Sequence, residues 1–135
     1  MANNIIIMKN LIVDATRDKI FLTLIVSENI YTCSHENSKI NFEKLMILIN
    51  EFLGGNKSSL DDISAIYVNR GPGSFAGIRN SLSTIKALFL TKKIDYYCFS
   101  FEDFRESGNI KYVDVPHLCE KYKIKKNLIN PIYLS

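Results

Sequence analysis

The sequence predicts one α/β domain with a mixed five-stranded sheet, its elements running β-β-β-α-β-α-β. Three observations predict it. Near the start, three runs rich in strand formers follow one another with short turns between them, as in an antiparallel meander. Further on, two stretches repeat apolar residues at helical spacing. Between those helices a short apolar run leads into Asn69-Arg70-Gly71-Pro72-Gly73-Ser74-Phe75-Ala76-Gly77-Ile78-Arg79, which holds three of the chain's 6 glycines. This third feature reads as strand, tight loop, helix. With 135 residues the chain is long enough to bury a real core.

Taken in order, residues 5–8 are apolar but too short for a signal-peptide core. Residues 8–14, from Met8 to Asp14, make the first strand. Residues 1–7 either extend it or precede a true start at Met8. Residues 19–26 and 29–33 are dense in β-branched and aromatic side chains, and Ser27-Glu28-Asn29 between them is a hairpin turn. His35 follows in a polar loop with no metal-ligating neighbours in sequence. Ser38 is a suitable N-cap for the first helix. Phe42, Leu45, Met46, Ile49, Phe52 and Leu53 give it one apolar stripe, Ile47 and Leu48 grease a second face, and Gly54-Gly55 ends it.

Residues 59–62 form an acidic turn into a fourth strand, residues 64–68. The second helix runs from Phe75 to about Leu90, with Phe75, Ile78, Leu82, Ile85 and Phe89 on one stripe. Asn80, Ser81, Ser83 and Thr84 are poor helix formers but let another backbone approach closely. Lys92 and Lys93 complement the dipole at its end. Residues 95–99 are the fifth strand. From residue 105 to 130 the sequence predicts a connector with a short helix and a tail strand.

Composition bounds the function. The chain is 47% hydrophobic and 23% charged, as expected of a soluble globular protein. A net charge of +3 permits contact with RNA but falls well short of an independent nucleic-acid binder. Cys33, Cys98 and Cys119 are odd in number and share no C-x-x-C spacing, which points to reduced thiols in a cytoplasmic protein. No apolar run reaches the roughly 20 residues needed to cross a membrane.

The glycine loop is the place for chemistry. Amides at a helix start attract anions, and open α/β folds put their sites at the carboxyl ends of strands. A Walker loop requires Gly-Lys-Ser/Thr, and there is no lysine here. A dinucleotide fingerprint requires G-x-G-x-x-G, but one residue too many separates Gly73 from Gly77, and Asp95 opens a strand instead of closing one. Two readings stay open: a phosphate-binding loop, or a turn whose glycines serve only strand-to-helix geometry. Asp14 either joins that loop in binding phosphate or caps the turn into the second strand. His117, Cys119 and Glu120 lie close in sequence, but no orienting group accompanies them.

The string from Val68 to Arg79 closely resembles the signature of the TsaB (YeaZ) family, whose usual form is Gly-Arg-Gly-Pro-Gly-Ser-Phe-Thr-Gly-Leu-Arg. Arg70, Gly71, Pro72, Gly73, Ser74, Phe75, Gly77 and Arg79 carry the match. The resemblance implies a single ribonuclease H-like lobe of the actin-like (ASKHA) superfamily, in which Asp14 stands where an aspartate faces phosphate and metal. It also implies a non-catalytic subunit that joins a TsaD-like catalytic subunit in making threonylcarbamoyladenosine in tRNA. Catalytic relatives hold a metal with a His-x-x-x-His pair on the first helix; no such pair stands here, and no cofactor is expected. The implied partner surface is made by the two helices, with Phe42, Glu43, Leu45, Leu48, Ile78, Leu82 and Ile85 as candidate contacts. A TsaE-like ATPase and a homodimer are further implied partners, with tRNA touched only indirectly and no membrane involved. The resemblance is continuous from Met8 to about Phe104, giving a lobe over residues 1–104 with residues 1–7 as a possible extension, and it implies a short helix over residues 101–104. Residues 105–135 stand where the family has a second lobe of roughly a hundred residues, and they end in a related Pro131-Ile-Tyr-Leu-Ser135. The competing expectations are an enzyme that binds nucleotide or phosphate through Asp14 and the loop from Gly71 to Gly77, and a regulatory homodimer.

Overall fold

The computed structural model describes residues 7–133. The expected extension by residues 1–7, apart from Ile7, and the last two residues of the tail lie outside that range. Strands β1 (Lys9–Asp14), β2 (Lys19–Val26) and β3 (Asn29–Glu36) form the antiparallel meander. Ser27 and Glu28 alone turn the hairpin, with Val26 opposite Asn29 and Ser27 at φ 55°. Strand β4 (Ala65–Asn69) runs parallel to β1, and β5 (Asp95–Phe99) runs parallel to β4. The strand order is β3-β2-β1-β4-β5. That places β1 and β4 at the centre, where both faces are buried, and their Leu-Ile-Val and Ala-Ile-Tyr-Val runs are apolar on both sides accordingly.

Strand β3 is three residues longer than its apolar pattern predicts. Ser34, His35 and Glu36 continue the ladder opposite Phe21, Ile20 and Lys19. They lie on the sheet's edge, where side chains need not be apolar because most face water. His35 is therefore a strand residue, correcting its expected place in a loop.

Two layers cover the sheet. On one face lie α1 (Lys39–Glu43), α2 (Leu45–Gly55) and α3 (Phe75–Lys92). The expected first helix is broken in two at Lys44, where the backbone leaves helical geometry (φ −99°, ψ 9°). Ser38 caps α1 as expected, its Oγ accepting from the Asn41 amide at 3.2 Å. The glycines do not stop α2 by themselves; it closes at Asn56, whose side chain donates to the Phe52 carbonyl, and Lys57 then takes positive φ. Leu11, Val13, Ile49, Leu53, Ile66, Ile78 and Ile85 are among the side chains of this core.

The opposite face carries Ile12, Ala65, Tyr67 and Phe99, and residues after β5 cover it. A 3-10 turn at Phe101–Asp103, a second at Tyr112–Asp114 and helix α4 (Val115–Lys121) bring Phe104, Val115, Leu118 and Cys119 onto this face. The tail then passes the edge of β5. Asn127 receives the Tyr96 amide on its Oδ1 and donates its own amide to the Tyr96 carbonyl. The expected tail strand is reduced to a single bridge between Tyr97 and Lys126.

Candidate functional site

The loop between β4 and α3 is a junction of four chain segments. Asn69 ends β4, and its Oδ1 accepts the Gly71 amide at 2.9 Å. Gly71, at φ +111°, precedes a cis bond to Pro72. Ser74 caps α3, its Oγ accepting from the Gly77 amide at 3.2 Å, while its own amide donates to the Thr16 carbonyl at 2.8 Å. Three of the loop's amides are thus bonded within the chain.

Each signature glycine faces backbone. A Cβ on Gly77 would overlap the Ala15 carbonyl oxygen, and one on Gly73 would overlap the Thr16 carbonyl oxygen and come within 2.8 Å of Thr16 Cβ. At Gly71 it would overlap the Ile132 carbonyl oxygen. The glycines let the β1–β2 turn and the tail press against the loop. Arg70 fixes the tail side: its guanidinium bonds both Asp103 carboxylate oxygens at 2.6 and 3.3 Å and the Asn130 carbonyl at 3.1 Å. The Ile132 amide completes the contact on the Arg70 carbonyl at 2.7 Å. Phe75 and Arg79 point outward, and the Phe75 ring lies 4.7 Å from that of Tyr133.

Asp14 sits beneath this junction, 0% exposed. Four donors converge on its carboxylate. Oδ1 takes the Thr16 amide at 3.0 Å and hydroxyl at 2.7 Å, which is the turn-capping arrangement expected of an aspartate there. Oδ2 takes Asn69 Nδ2 at 3.1 Å and the Tyr112 hydroxyl at 2.6 Å. Sequence reasoning missed Tyr112, since nothing in its neighbourhood marks a tyrosine 98 residues downstream as a partner. Burial, together with the adjacent Asp14 charge, pushes the Tyr112 hydroxyl pKa far above its ordinary value, so it stays a proton donor. With its lone pairs spent on four donors, the carboxylate has no open side for a phosphate-bound metal.

The remaining candidates separate. Leu45, Ile78 and Ile85 are fully enclosed in the core beneath the helices, and Phe42, Leu48 and Leu82 are buried as well. Of the seven expected contacts, Glu43 alone is on the surface. Ile78, Leu82 and Ile85 face their own sheet, whereas Phe75, expected on the same stripe, lies at the helix start beyond the sheet and is exposed; with Ile40, Ile47 and Leu90 it is more than half exposed (56, 63, 54 and 66%). Asn80 and Thr84 return their side chains to the Ala76 and Asn80 carbonyls, and Ser81 is buried with its hydroxyl on Ile78. His117 is exposed while Cys119 is buried, so they do not act as a pair. No metal-holding group of His, Cys, Asp or Glu occurs among the described residues.

The thiols give a pH dependence. Burial raises Cys119 from 9.0 to about 12 and Cys98 from 9.0 to about 11. The folded thiols hold their protons where unfolded ones have lost them, so this stabilisation is complete below pH 9 and is lost as pH rises towards 12. The urea midpoint should fall between pH 8 and pH 10.5, and fall less in a Cys98→Ala/Cys119→Ala variant; equal slopes for the two proteins would count against buried thiols as the cause. The raised hydroxyls of Tyr67 and Tyr112 act with the same sign and maintain part of the fall.

A sheet of this order, with a glycine turn after its fourth strand and an aspartate at the end of its first, has a ribonuclease H-like fold. Solved structures agree: YeaZ from Pseudomonas aeruginosa superposes with a TM-score of 0.63 at 18% identity, covering 69% of this chain and 44% of that one. A second structure, described as an uncharacterized protein with similarity to peptidase YEAZ from Pseudomonas aeruginosa, gives the same TM-score and identity. In sequence, the chain is 29% identical over 90 residues to the tRNA threonylcarbamoyladenosine biosynthesis protein TsaB of Buchnera aphidicola subsp. Schizaphis graminum, covering 67% of this chain and 43% of the relative. It is 35% identical over 65 residues to the TsaB of Buchnera aphidicola subsp. Baizongia pistaciae, covering 42% and 29%. The family model for TsaD, tRNA N6-adenosine threonylcarbamoyltransferase, matches residues 35–100. Over these spans the chain is similar to TsaB (YeaZ) proteins in sequence and in fold. The chain spans less than half the length of the curated relatives that it matches. No described helix is long and apolar enough to cross a membrane.

Proposed function

We propose that the chain is a non-catalytic subunit in the formation of threonylcarbamoyladenosine in tRNA, docking a TsaD-like catalytic subunit through the outward face of α1, α2 and α3. The observation that carries this reading is the closed state of Asp14. The one carboxylate positioned for phosphate chemistry is saturated by Thr16, Asn69 and Tyr112 and is fully buried. What the chain leaves available is a surface: Ile40 and Ile47 on the first two helices and Phe75 and Leu90 on the third. Exposed apolar side chains on the outer layer suit a protein interface.

The revised anchors are tested directly. Ile40→Asp/Ile47→Asp should weaken association with a TsaD-like subunit from the same genome at least tenfold, by light scattering or calorimetry, with the urea midpoint unchanged. Anchors of this kind dominate association energies. Wild-type affinity in that variant would remove α1 and α2 from the interface. A stable homodimer that ignores the catalytic subunit would replace the scaffold by self-association.

A further inference from the structure

We propose that the lysines of the segment after β5 form a phosphate-binding face that contacts RNA directly. This goes beyond the scaffold role, which involves no contact between this chain and RNA. Charge is segregated along the chain. Residues 1–104 hold eleven Lys or Arg and eleven Asp or Glu, whereas residues 105–135 hold six cations against three carboxylates. The whole net charge of +3 therefore belongs to the later segment.

Four of its lysines fall within six residues: Lys121, Lys123, Lys125 and Lys126, all exposed. Lys121 pairs with Glu106 at 2.8 Å and Lys126 with Asp95 at 3.7 Å. Lys123 and Lys125 make no ion pair with any described residue within 4 Å, so their charge is unspent. Both line a recess of about 200 Å³ at the foot of the glycine loop, where Arg70 and Asp103 neutralise each other and the two lysines are the cations left over. Lys123 also borders a neighbouring recess of about 290 Å³ that contains Tyr67 and Tyr97. Those rings stack at 5.0 Å and 9°.

A cation shared between two adjoining recesses, a second beside it and a half-exposed tyrosine, Tyr97, match a polymer of phosphates and bases better than a single small anion. Lysines binding as point charges suit phosphates whose exact positions vary. A lipid surface is the weaker fit. Membrane-lying segments set a continuous apolar stripe beside their lysines, and the most exposed apolar side chains of the helices, on Ile40, Ile47, Phe75 and Leu90, belong to the layer on the other side of the sheet.

The test uses the full chain alone, without any catalytic subunit, so that its failure leaves the docking reading untouched. Binding to fluorescein-labelled tRNA is followed by anisotropy between 50 and 300 mM salt. About three neutralised phosphates give a slope of roughly −2 to −3 in log affinity against log salt. Lys123→Gln/Lys125→Gln should weaken binding at 50 mM at least fivefold and reduce the slope by about 2. Lys39→Gln/Lys44→Gln, which removes the same charge from the opposite layer, should stay within twofold of wild type. Three results would overturn the proposal: no binding at 50 mM salt with ~100 μM protein, a concentration that covers ordinary non-specific affinities; equal losses in both double variants; or tighter binding to phosphatidylserine vesicles than to tRNA.

Discussion

Gly77→Ala should leave the protein largely unfolded. The new methyl would overlap the Ala15 carbonyl oxygen, and both partners are backbone, fixed by β1 and by the first turn of α3. Ordinary overpacking costs about 1–3 kcal/mol because flexible side chains yield. Here the helix itself must move off the β1–β2 turn, so the expected loss exceeds about 3 kcal/mol, a large share of a small domain's stability. Gly54→Ala is the internal control. Open space surrounds that position inside α2, and the change should stabilise by roughly 0.5–1 kcal/mol through helix propensity alone. Urea unfolding of the two variants separates the cases. A Gly77→Ala protein with a wild-type midpoint would mean that the loop is not pressed against the turn at all.

Asp14→Ala is the second large effect. It leaves the Thr16 amide and hydroxyl, Asn69 Nδ2 and the Tyr112 hydroxyl without their acceptor in a buried place. Breaking a buried charged network from one side costs about 3–5 kcal/mol. Tyr112→Phe removes one donor and leaves the other three in place, so it should cost about 2 kcal/mol, as for a single hydrogen bond to a charged group. The contrast is informative. If Tyr112→Phe matched Asp14→Ala, the tyrosine would hold the tail by more than its hydroxyl. If Asp14→Ala were as stable as wild type and wild type were instead stabilised by magnesium and nucleotide, Asp14 would be a ligand-binding group and the scaffold reading would fail.

Much of the sheet was legible because each strand carries its own signal. Residues 95–99 and the start of α3 at Phe75 fall where apolar pattern and capping place them. The site was less legible, because its decisive contacts join distant segments. The glycine spacing announces a turn, but nothing local says that Gly73 and Gly77 are small on account of two carbonyls in the β1–β2 turn. Asp14 could be read as a cap from its own neighbours, and Thr16 bears that out; its other partners, Asn69 and Tyr112, come from 55 and 98 residues away. Periodicity found the apolar stripes of the helices, but a stripe marks the core side first. Ile40, Ile47 and Leu90, which are exposed, were visible only as residues that the stripe omits.

The order in which the parts leave the ribosome gives the second sheet face a history of its own. The strands and the three helices of one layer are all encoded before residue 100, so that half can condense as soon as β5 emerges. Tyr67 and Phe99 then wait, uncovered, until Val115, Leu118 and Cys119 arrive to cover them. The loop waits longer still, because the Ile132 amide that seats on Arg70 comes after all of these. At about 5–20 residues per second the interval lasts a few seconds, during which a nascent chain displays an aromatic face to its surroundings. A chaperone that engages exposed rings during synthesis would find its opportunity there, and lose it once the tail crosses β5.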